Sequence, residues 1–250
     1  SRSDTEVILY AYAQWGPQAF ERFNGMFALA IWDSQEKELV LARDRYGIKP
    51  LYYFNGGDTF LFASEVKAIL RHPTYPTKVD HEALLEYFTF QNIFTDRTLF
   101  SGIKHVPAGT WLKLKSGRND VSFKQYWDFA FAEPDKKVDE QAYSEELGRL
   151  MEQAVSRQLI SDVDVGSYLS GGMDSGTITA LASRQLPYMT TFTCGFDLHS
   201  ASGMELAFDE REKAELMSYC FKTEHYEMVL KAGDMERVME KLIWHLEDPR

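Results

Sequence analysis

The chain has little of what a secreted or membrane-bound protein requires. Its 250 residues include only two cysteines, Cys194 and Cys220, which is too few for a disulfide framework. No uninterrupted apolar run approaches the roughly 18 residues of a membrane-spanning helix. We therefore expect a reduced, cytoplasmic protein that does not contact a membrane.

Positive charge is also scarce. The sequence has 27 lysines and arginines against 38 aspartates and glutamates, for a net charge of -11. Non-specific binding to nucleic acid requires a basic surface, so nucleic acid is not expected as a partner. A local pocket for a nucleotide remains compatible with this charge. The 44% hydrophobic content is typical of a globular chain, and the length suits one large domain or two ordinary ones.

Residues 1–132 have the pattern of an α+β domain. A capping box, in which Ser3 accepts from the Glu6 amide, introduces a helix over 7–15. Further short helices are expected after Ser64 and Asp80. Paired apolar runs joined by polar turns predict hairpins at 26–32 with 39–42, 51–54 with 60–63, and 110–115 with 121–127. This order indicates a mixed sheet between helices, and the polar stretch 133–138 is the expected linker.

Residues 139–250 have a different pattern, in which short strands alternate with helices. An amphipathic helix of about five turns comes first. Strands are then predicted at 165–169, 189–195 and 225–229, and helices at 174–184, 210–221 and 235–246. Such alternation predicts an α/β domain with a parallel sheet and right-handed crossovers.

The strongest chemical signal is the loop Ser170-Gly171-Gly172-Met173-Asp174-Ser175, between a predicted strand and a predicted helix. The two glycines permit a tight turn and close approach of a ligand to the backbone. Free amides at the start of the helix then face an anion, with the helix dipole behind them. The spacing is neither that of the P-loop nor that of the dinucleotide fingerprint. The simpler alternative is a Gly-Gly turn capped by Ser and Asp.

Asp174 is a candidate magnesium ligand within this loop. A carboxylate beside bound phosphate would repel it unless a cation lay between them. Ser170 and Ser175 supply hydroxyl donors on either side of the glycines. The loop therefore predicts a site for a magnesium-bound polyphosphate.

This loop resembles the pyrophosphate loop of the ATP pyrophosphatase superfamily. The wider chain resembles the asparagine synthetases of the glutamine-hydrolysing type, over nearly its whole length. Besides the loop, the likeness is carried by SDTEV at 3–7, GMFA at 25–28, ARDRYGIKPLYY at 42–53, ASEVKA at 63–68 and VPAG at 106–109.

The resemblance implies that residues 1–132 are part of a class II glutamine amidotransferase domain, an N-terminal-nucleophile-type sandwich. Asp4 matches the carboxylate that holds the α-amino group of glutamine, although it also suits the first turn of a capped helix. The family's nucleophilic cysteine would lie upstream, so no catalytic residue is expected in this chain, and the piece alone is expected to be inactive. Arg43 and Asp44 match a structural motif, for which we expect a buried salt bridge.

The resemblance also implies that residues 139–250 begin an ATP pyrophosphatase domain that converts aspartate to an acyl-adenylate. ATP and magnesium are the implied cofactors, and glutamine, aspartate and ATP the implied substrates. Cys194 matches a position whose backbone touches adenine, and as a residue near the end of a buried strand it is expected to fill the core. The family's ATP-binding positions match Leu169, Ser170, Gly171, Gly172, Asp174, Ser175 and Cys194, with magnesium at Asp174.

Two alternatives remain open at this stage. One is a sister enzyme, such as a β-lactam synthetase-like cyclase, that activates another carboxylate. The other is a non-catalytic domain that binds a nucleotide. Two residue groups are also ambiguous: the acidic set Glu205, Asp209, Glu210 and Glu212, and the pair His225 and Glu227. The sequence also leaves a homodimer open.

Overall fold

The computed structural model describes residues 3–118, 120–133, 139–197, 199–200 and 209–247. The chain forms two compact units, one of Ser1–Phe131 with Ile243–Arg250 and the other of Ala132–Leu242. Most of the expected linker, residues 134–138, lies outside the described residues. Among the described helices, none has the length and apolar character needed to cross a bilayer.

The first unit combines helices with two antiparallel sheets. Its elements before Phe131 are α1 (Asp4–Trp15), a 3-10 helix (Gly16–Arg22), β1 (Ala28–Asp33), β2 (Glu38–Arg43), β3 (Tyr52–Gly56), β4 (Thr59–Ala63), α2 (Val66–Leu70), α3 (His81–Phe90), β5 (Ile103–His105), β6 (Thr110–Lys115) and β7 (Val121–Gln125). One sheet has the strand order β1-β2-β6-β7 and the other the order β4-β3-β5.

Alternating side chains of β2 enter two different cores, because successive residues of a strand face opposite sides. Leu41 packs with Tyr53 of β3 between the two sheets. Val40 packs on the other side with Phe20 of the 3-10 helix. Beyond the second sheet, Val66 of α2 packs against Tyr52, Phe54 and Ile103. The unit is therefore layered as helix, sheet, sheet and helix.

The expectation of a single mixed sheet in this unit is wrong. The hairpins β1-β2 and β3-β4 form where predicted, but they lie in separate antiparallel sheets that pack face to face. The cause is the pairing of β2 with β6, which aligns Leu41 with Leu112 and has no local sequence signal. Strand β5 was not predicted, since its three residues contain one aliphatic side chain beside Lys104 and His105.

The predicted cap of α2 at Ser64 is also wrong. Glu65 occupies the N-cap position and makes no capping hydrogen bond with its own side chain. Instead, the carboxylate of Glu247, within the same unit, accepts from the amides of Val66 at 2.6 Å and Lys67 at 2.7 Å. A carboxylate at this end of a helix satisfies free N–H groups and complements the dipole. Glu247 lies 181 positions after Val66, so local sequence patterns cannot reveal this cap.

Arg43 and Asp44 do not form the expected salt bridge, and each binds the backbone instead. The Arg43 guanidinium donates to the carbonyls of Gly47, Lys49 and Val106 at 2.7–2.8 Å. Burial lowers the pKa of Arg43, and Tyr52 and Asp44 partly offset that shift. Adjacent residues at the end of a strand point to opposite sides, which separates the two charged groups.

Asp44 is 1% exposed, and its carboxylate gathers backbone amides. It accepts from Tyr46, Ile48 and Lys49 at 3.0–3.1 Å and from Phe27 at 3.3 Å. The turn after β2 is thus held from inside by one side chain. Removing it would leave four partly buried backbone donors without this acceptor, and an unpaired donor that is fully buried costs roughly 1–3 kcal/mol.

We expect Asp44→Ala to lower the free energy of unfolding of the chain by at least about 3 kcal/mol, because four backbone N–H groups lose their acceptor. Denaturant unfolding followed by circular dichroism measures this. Asp58→Ala, in an exposed turn, is the matched control and should change little. Equal effects from the two variants would contradict the assignment.

The remaining elements of the chain are α4 (Glu140–Gln158), β8 (Gly166–Tyr168), α5 (Met173–Ser183), β9 (Thr190–Phe196), α6 (Arg211–Phe221), β10 (Glu224–Leu230) and α7 (Asp234–Leu246). The second unit contains a three-stranded sheet in the order β10-β9-β8, whose strands run parallel. Its core joins Val155 of α4 to Ala182 of α5. The predicted strands and helices after α4 occur with ends within one residue of expectation.

Candidate functional site

The Gly-Gly loop follows the carboxyl end of β8 and leads directly into α5. Leu169 anchors its start: the Leu169 amide donates to the carbonyl of Phe192 at 2.9 Å, and the whole residue is only 1% exposed. The next residue, Ser170, is exposed. The accessible part of the loop therefore begins at Ser170, and Leu169 fixes its start to the sheet.

Gly171 has a backbone conformation and a position that both require glycine. Its φ is +76°, in the left-handed region that other residues rarely adopt. A Cβ atom there would lie 2.5 Å from the Cβ of Lys213 and 3.2 Å from the amide nitrogen of Ala214. The loop backbone is therefore packed directly against the first turn of α6.

Gly172 is the N-cap residue of α5 and offers no capping side chain. The amides of the first helical turn, including those of Met173 and Asp174, have no carbonyl partner within the helix. They remain available for an anion, and the positive end of the helix dipole lies behind them.

The hydroxyl groups of Ser170 and Ser175 meet across the loop at 3.0 Å. The Ser175 hydroxyl also accepts from the Ser170 amide at 3.2 Å and lies 3.3 Å from the Gly172 carbonyl. The Gly172 amide donates to the Ser170 hydroxyl at 3.3 Å. These contacts connect the two ends of the loop, and both hydroxyl groups can rotate toward a bound phosphate.

Asp174 lies exposed in the first turn of α5. No hydrogen bond or ion pair engages its carboxylate in the part of the chain that the structure describes. Among those same residues, no cluster of three or more His, Cys, Asp and Glu side chains is arranged to hold a metal ion. A single free carboxylate beside phosphate donors nevertheless fits magnesium, which commonly takes one or two carboxylates together with phosphate oxygens.

Cys194 is exposed, so the expectation of a buried core cysteine is wrong. Successive residues of β9 alternate, and Thr193 and Gly195 are buried while Phe192 and Cys194 face the other side. This side forms a cavity of about 450 Å³ together with Tyr168. The backbone of Cys194 is close to the carboxyl end of β9, the strand that pairs with β8, so parallel pairing brings it to the same edge as the loop.

Asp4 is exposed in the first turn of α1, within the first unit. The Ser3 hydroxyl accepts from the Thr5 amide at 3.3 Å rather than from Glu6, whose amide bonds the Ser3 carbonyl at 3.1 Å. The cap therefore forms with a partner one residue earlier than predicted. Asp4 has the carboxylate and the exposure that a ligand ammonium group requires.

Sequence reasoning did not find the role of Asp209 and Arg211. Of the acidic set, Glu205 lies outside the described residues, while Glu210 and Glu212 lie at the exposed or partly exposed start of α6. Asp209 instead forms an ion pair with Arg211 at 2.6 Å. Its hydrogen bonds with this guanidinium hold the pKa of Asp209 at about 2. The sequence offered one signal for this contact. Gly195 lies inside a strand, and a glycine there often marks a place where another part of the chain approaches the backbone closely.

His225 and Glu227 lie on the same side of β10, with His225 Nε2 3.8 Å from a Glu227 carboxylate oxygen. His225 Nδ1 is 2.9 Å from the Thr191 hydroxyl on the neighbouring strand. This is a cross-strand contact that is mostly buried. It gives His225 a structural role in joining β9 to β10.

Sequence models of two known families match this chain. The sequence model of the glutamine amidotransferase domain matches residues 1–127, and that of asparagine synthase matches residues 146–250. Asparagine synthetase (glutamine-hydrolysing) 3 of Bacillus subtilis strain 168 is 35% identical over 96% of this chain and 40% of its own length. Asparagine synthetase (glutamine-hydrolysing) 1 of the same strain is 33% identical over 99% of this chain and 37% of its own length.

The chain thus joins a part that matches a glutamine amidotransferase domain to a part that matches asparagine synthase. It belongs to the glutamine amidotransferase family, and the two Bacillus subtilis relatives that match nearly its whole length are named glutamine-hydrolysing asparagine synthetases. The chain spans 37–40% of the length of these two relatives.

We expect Gly171→Ala to destabilise the second unit more than Gly233→Ala does. Both glycines have positive φ, and the left-handed conformation costs an alanine about 1–2 kcal/mol. At Gly233 a new Cβ meets open space, whereas at Gly171 it overlaps Lys213. Thermal unfolding of the two variants isolates the packing contribution, and equal losses would contradict the close approach.

Proposed function

We propose that the full-length protein makes asparagine from aspartate and glutamine, with ATP converted to AMP and pyrophosphate. The observation that carries this proposal is the loop after β8. Its two hydroxyl groups, free first-turn amides and unengaged Asp174 carboxylate converge at the carboxyl edge of a parallel sheet. Ligands of open α/β sheets bind at this edge.

The proposal divides the chain in two. Residues 1–132 are the later part of a class II glutamine amidotransferase domain of the N-terminal-nucleophile sandwich type, consistent with the layered helices and antiparallel sheets. Residues 133–138 are the linker. Residues 139–250 begin the ATP pyrophosphatase domain. Two exposed free thiols, Cys194 and Cys220, favour a reducing compartment such as the cytoplasm.

In the first of these domains, glutamine is hydrolysed to supply ammonia. We assign Asp4 to the α-amino group of glutamine, because an exposed carboxylate can pair with an ammonium group. Its carboxylate lies in the first turn of α1, where a negative charge interacts favourably with the helix dipole. The attacking thiol is supplied by residues other than Cys194 and Cys220, which both lie in the second unit.

In the second domain, the loop binds the β- and γ-phosphates of ATP. The first-turn amides and the hydroxyl groups of Ser170 and Ser175 hold the phosphate oxygens, and Leu169 and the backbone of Cys194 lie on the side of the nucleoside. Asp174 would hold magnesium, which would supply positive charge next to the phosphates. The carboxylate of aspartate attacks the α-phosphorus, pyrophosphate leaves, and ammonia then displaces AMP. We propose a homodimer as the assembly of the full-length protein.

We expect the full-length protein, given magnesium-ATP and glutamine, to release pyrophosphate only when aspartate is added, and to form asparagine in equal amount. A coupled pyrophosphate assay with a panel of carboxylic acids measures the preference. If pyrophosphate is released only with a different acid, the protein performs the same adenylation chemistry but belongs to a sister branch of enzymes. ATP binding without pyrophosphate release from any acid would indicate a non-catalytic domain.

We expect Asp174→Asn in the full-length protein to reduce pyrophosphate release by at least about 100-fold, because the neutral amide is a poorer magnesium ligand. Raising the magnesium concentration should recover part of the loss. Asp162→Asn, an exposed aspartate in the segment before β8, is the control and should behave as the unaltered protein. Full turnover in Asp174→Asn would exclude the metal assignment.

A further inference from the structure

An ion pair at the start of α6 joins that helix to the end of β9. Arg211 Nη2 donates to the Asp209 carboxylate at 2.6 Å and to the carbonyl of Phe196 at 2.9 Å. The same Asp209 carboxylate accepts from the Phe196 amide at 3.4 Å. One charged pair therefore binds both backbone polar groups of the last residue of β9.

Gly195 makes room for this arrangement. A Cβ atom on Gly195 would lie 2.3 Å from Arg211 Nε and 2.4 Å from its Cδ. The Arg211 side chain thus lies directly over the backbone of β9, one residue beyond Cys194. We call Gly195, Asp209 and Arg211 the β9–α6 clasp.

The helix that the clasp fixes also supports the nucleotide loop. Lys213 and Ala214, in the first turn of α6, are the residues against which Gly171 packs. Ala214 is fully buried, so this contact forms part of the interior. A shift of the first turn of α6 would therefore move the Gly171 backbone as well.

We propose that the β9–α6 clasp positions the nucleotide site. It fixes the first turn of α6 against Gly171 and holds the end of β9 beside the Gly-Gly loop. This inference rests on the proposed function and adds positioning residues to it. Arg211 is not assigned as a phosphate ligand, because its Nε and Nη2 atoms are engaged by Asp209 and Phe196. Its effect on the nucleotide is exerted through the backbone that it holds.

The test is a mutant cycle in the full-length protein, measured as the ATP dependence of pyrophosphate release. We expect Gly195→Ala and Arg211→Ala each to raise the KM for ATP by about tenfold, because small displacements of binding groups weaken a preorganised site. The value of kcat should change less than KM, and glutamine hydrolysis should be unchanged. Arg211→Lys, which keeps the charge but loses the planar fork, should give an intermediate KM.

The double variant Gly195→Ala with Arg211→Ala should resemble Arg211→Ala alone, because the new methyl group then has no guanidinium to overlap. Arg149→Ala is the matched control, since it breaks an exposed ion pair with Glu146 on α4 and should leave the KM for ATP unchanged. Additive effects of the two substitutions, or an unaltered KM in Arg211→Ala, would overturn the clasp as a positioning element. A loss of thermal stability with no change in KM would do the same.

Equilibrium binding of magnesium-ATP separates this inference from the proposed function. If the unaltered protein binds ATP and the clasp variants bind it equally well, only the clasp inference fails. If the unaltered protein neither binds ATP nor releases pyrophosphate, the proposed function fails and the clasp inference fails with it.

Discussion

The close approach of the Gly171 backbone to the first turn of α6 is the constraint on which the second unit depends. It requires a residue without a Cβ atom, a positive φ and a fixed helix behind the loop. A second glycine, Gly176, brings α5 within reach of Met217 on α6, since a Cβ there would lie 3.0 Å from the sulfur. The two helices that follow β8 and β9 are thus held together at the edge where the loop opens.

The two units use charged side chains in the same way, which is to satisfy backbone groups where regular pairing ends. After β2, the Asp44 carboxylate accepts from backbone amides and the Arg43 guanidinium donates to backbone carbonyls. At the end of β9, Asp209 accepts from the Phe196 amide and Arg211 donates to the Phe196 carbonyl. Buried polar backbone groups without partners are costly, so a charged group with several backbone bonds can be retained in a mostly covered position.

Local patterns predicted the second unit well and the arrangement of the first unit poorly. Strands β8, β9 and β10 are short segments that alternate with helices, and such alternation strongly restricts the topology. In the first unit, hairpins were predictable from their turns, but the pairing of Leu41 with Leu112 joins distant segments. The loop from Ser170 to Ser175 was found from its residues alone. The clasp was missed because Gly195 is distant in sequence from Asp209 and Arg211, and a glycine inside a strand does not identify the side chain that approaches it.

The charge balance of the loop gives a physical reason for magnesium in the proposed reaction. Between Ser170 and Ser175 the sequence contains no lysine or arginine and one aspartate, in a chain whose net charge is -11. The P-loop, by contrast, uses a lysine to offset the charge of its phosphates. Here the loop supplies neutral donors and a helix dipole, which orient phosphate oxygens but neutralise little of their charge. A divalent cation at Asp174 would convert that repulsive carboxylate into a means of binding the same phosphates, so the affinity for ATP should depend on the metal more than on any single hydroxyl group.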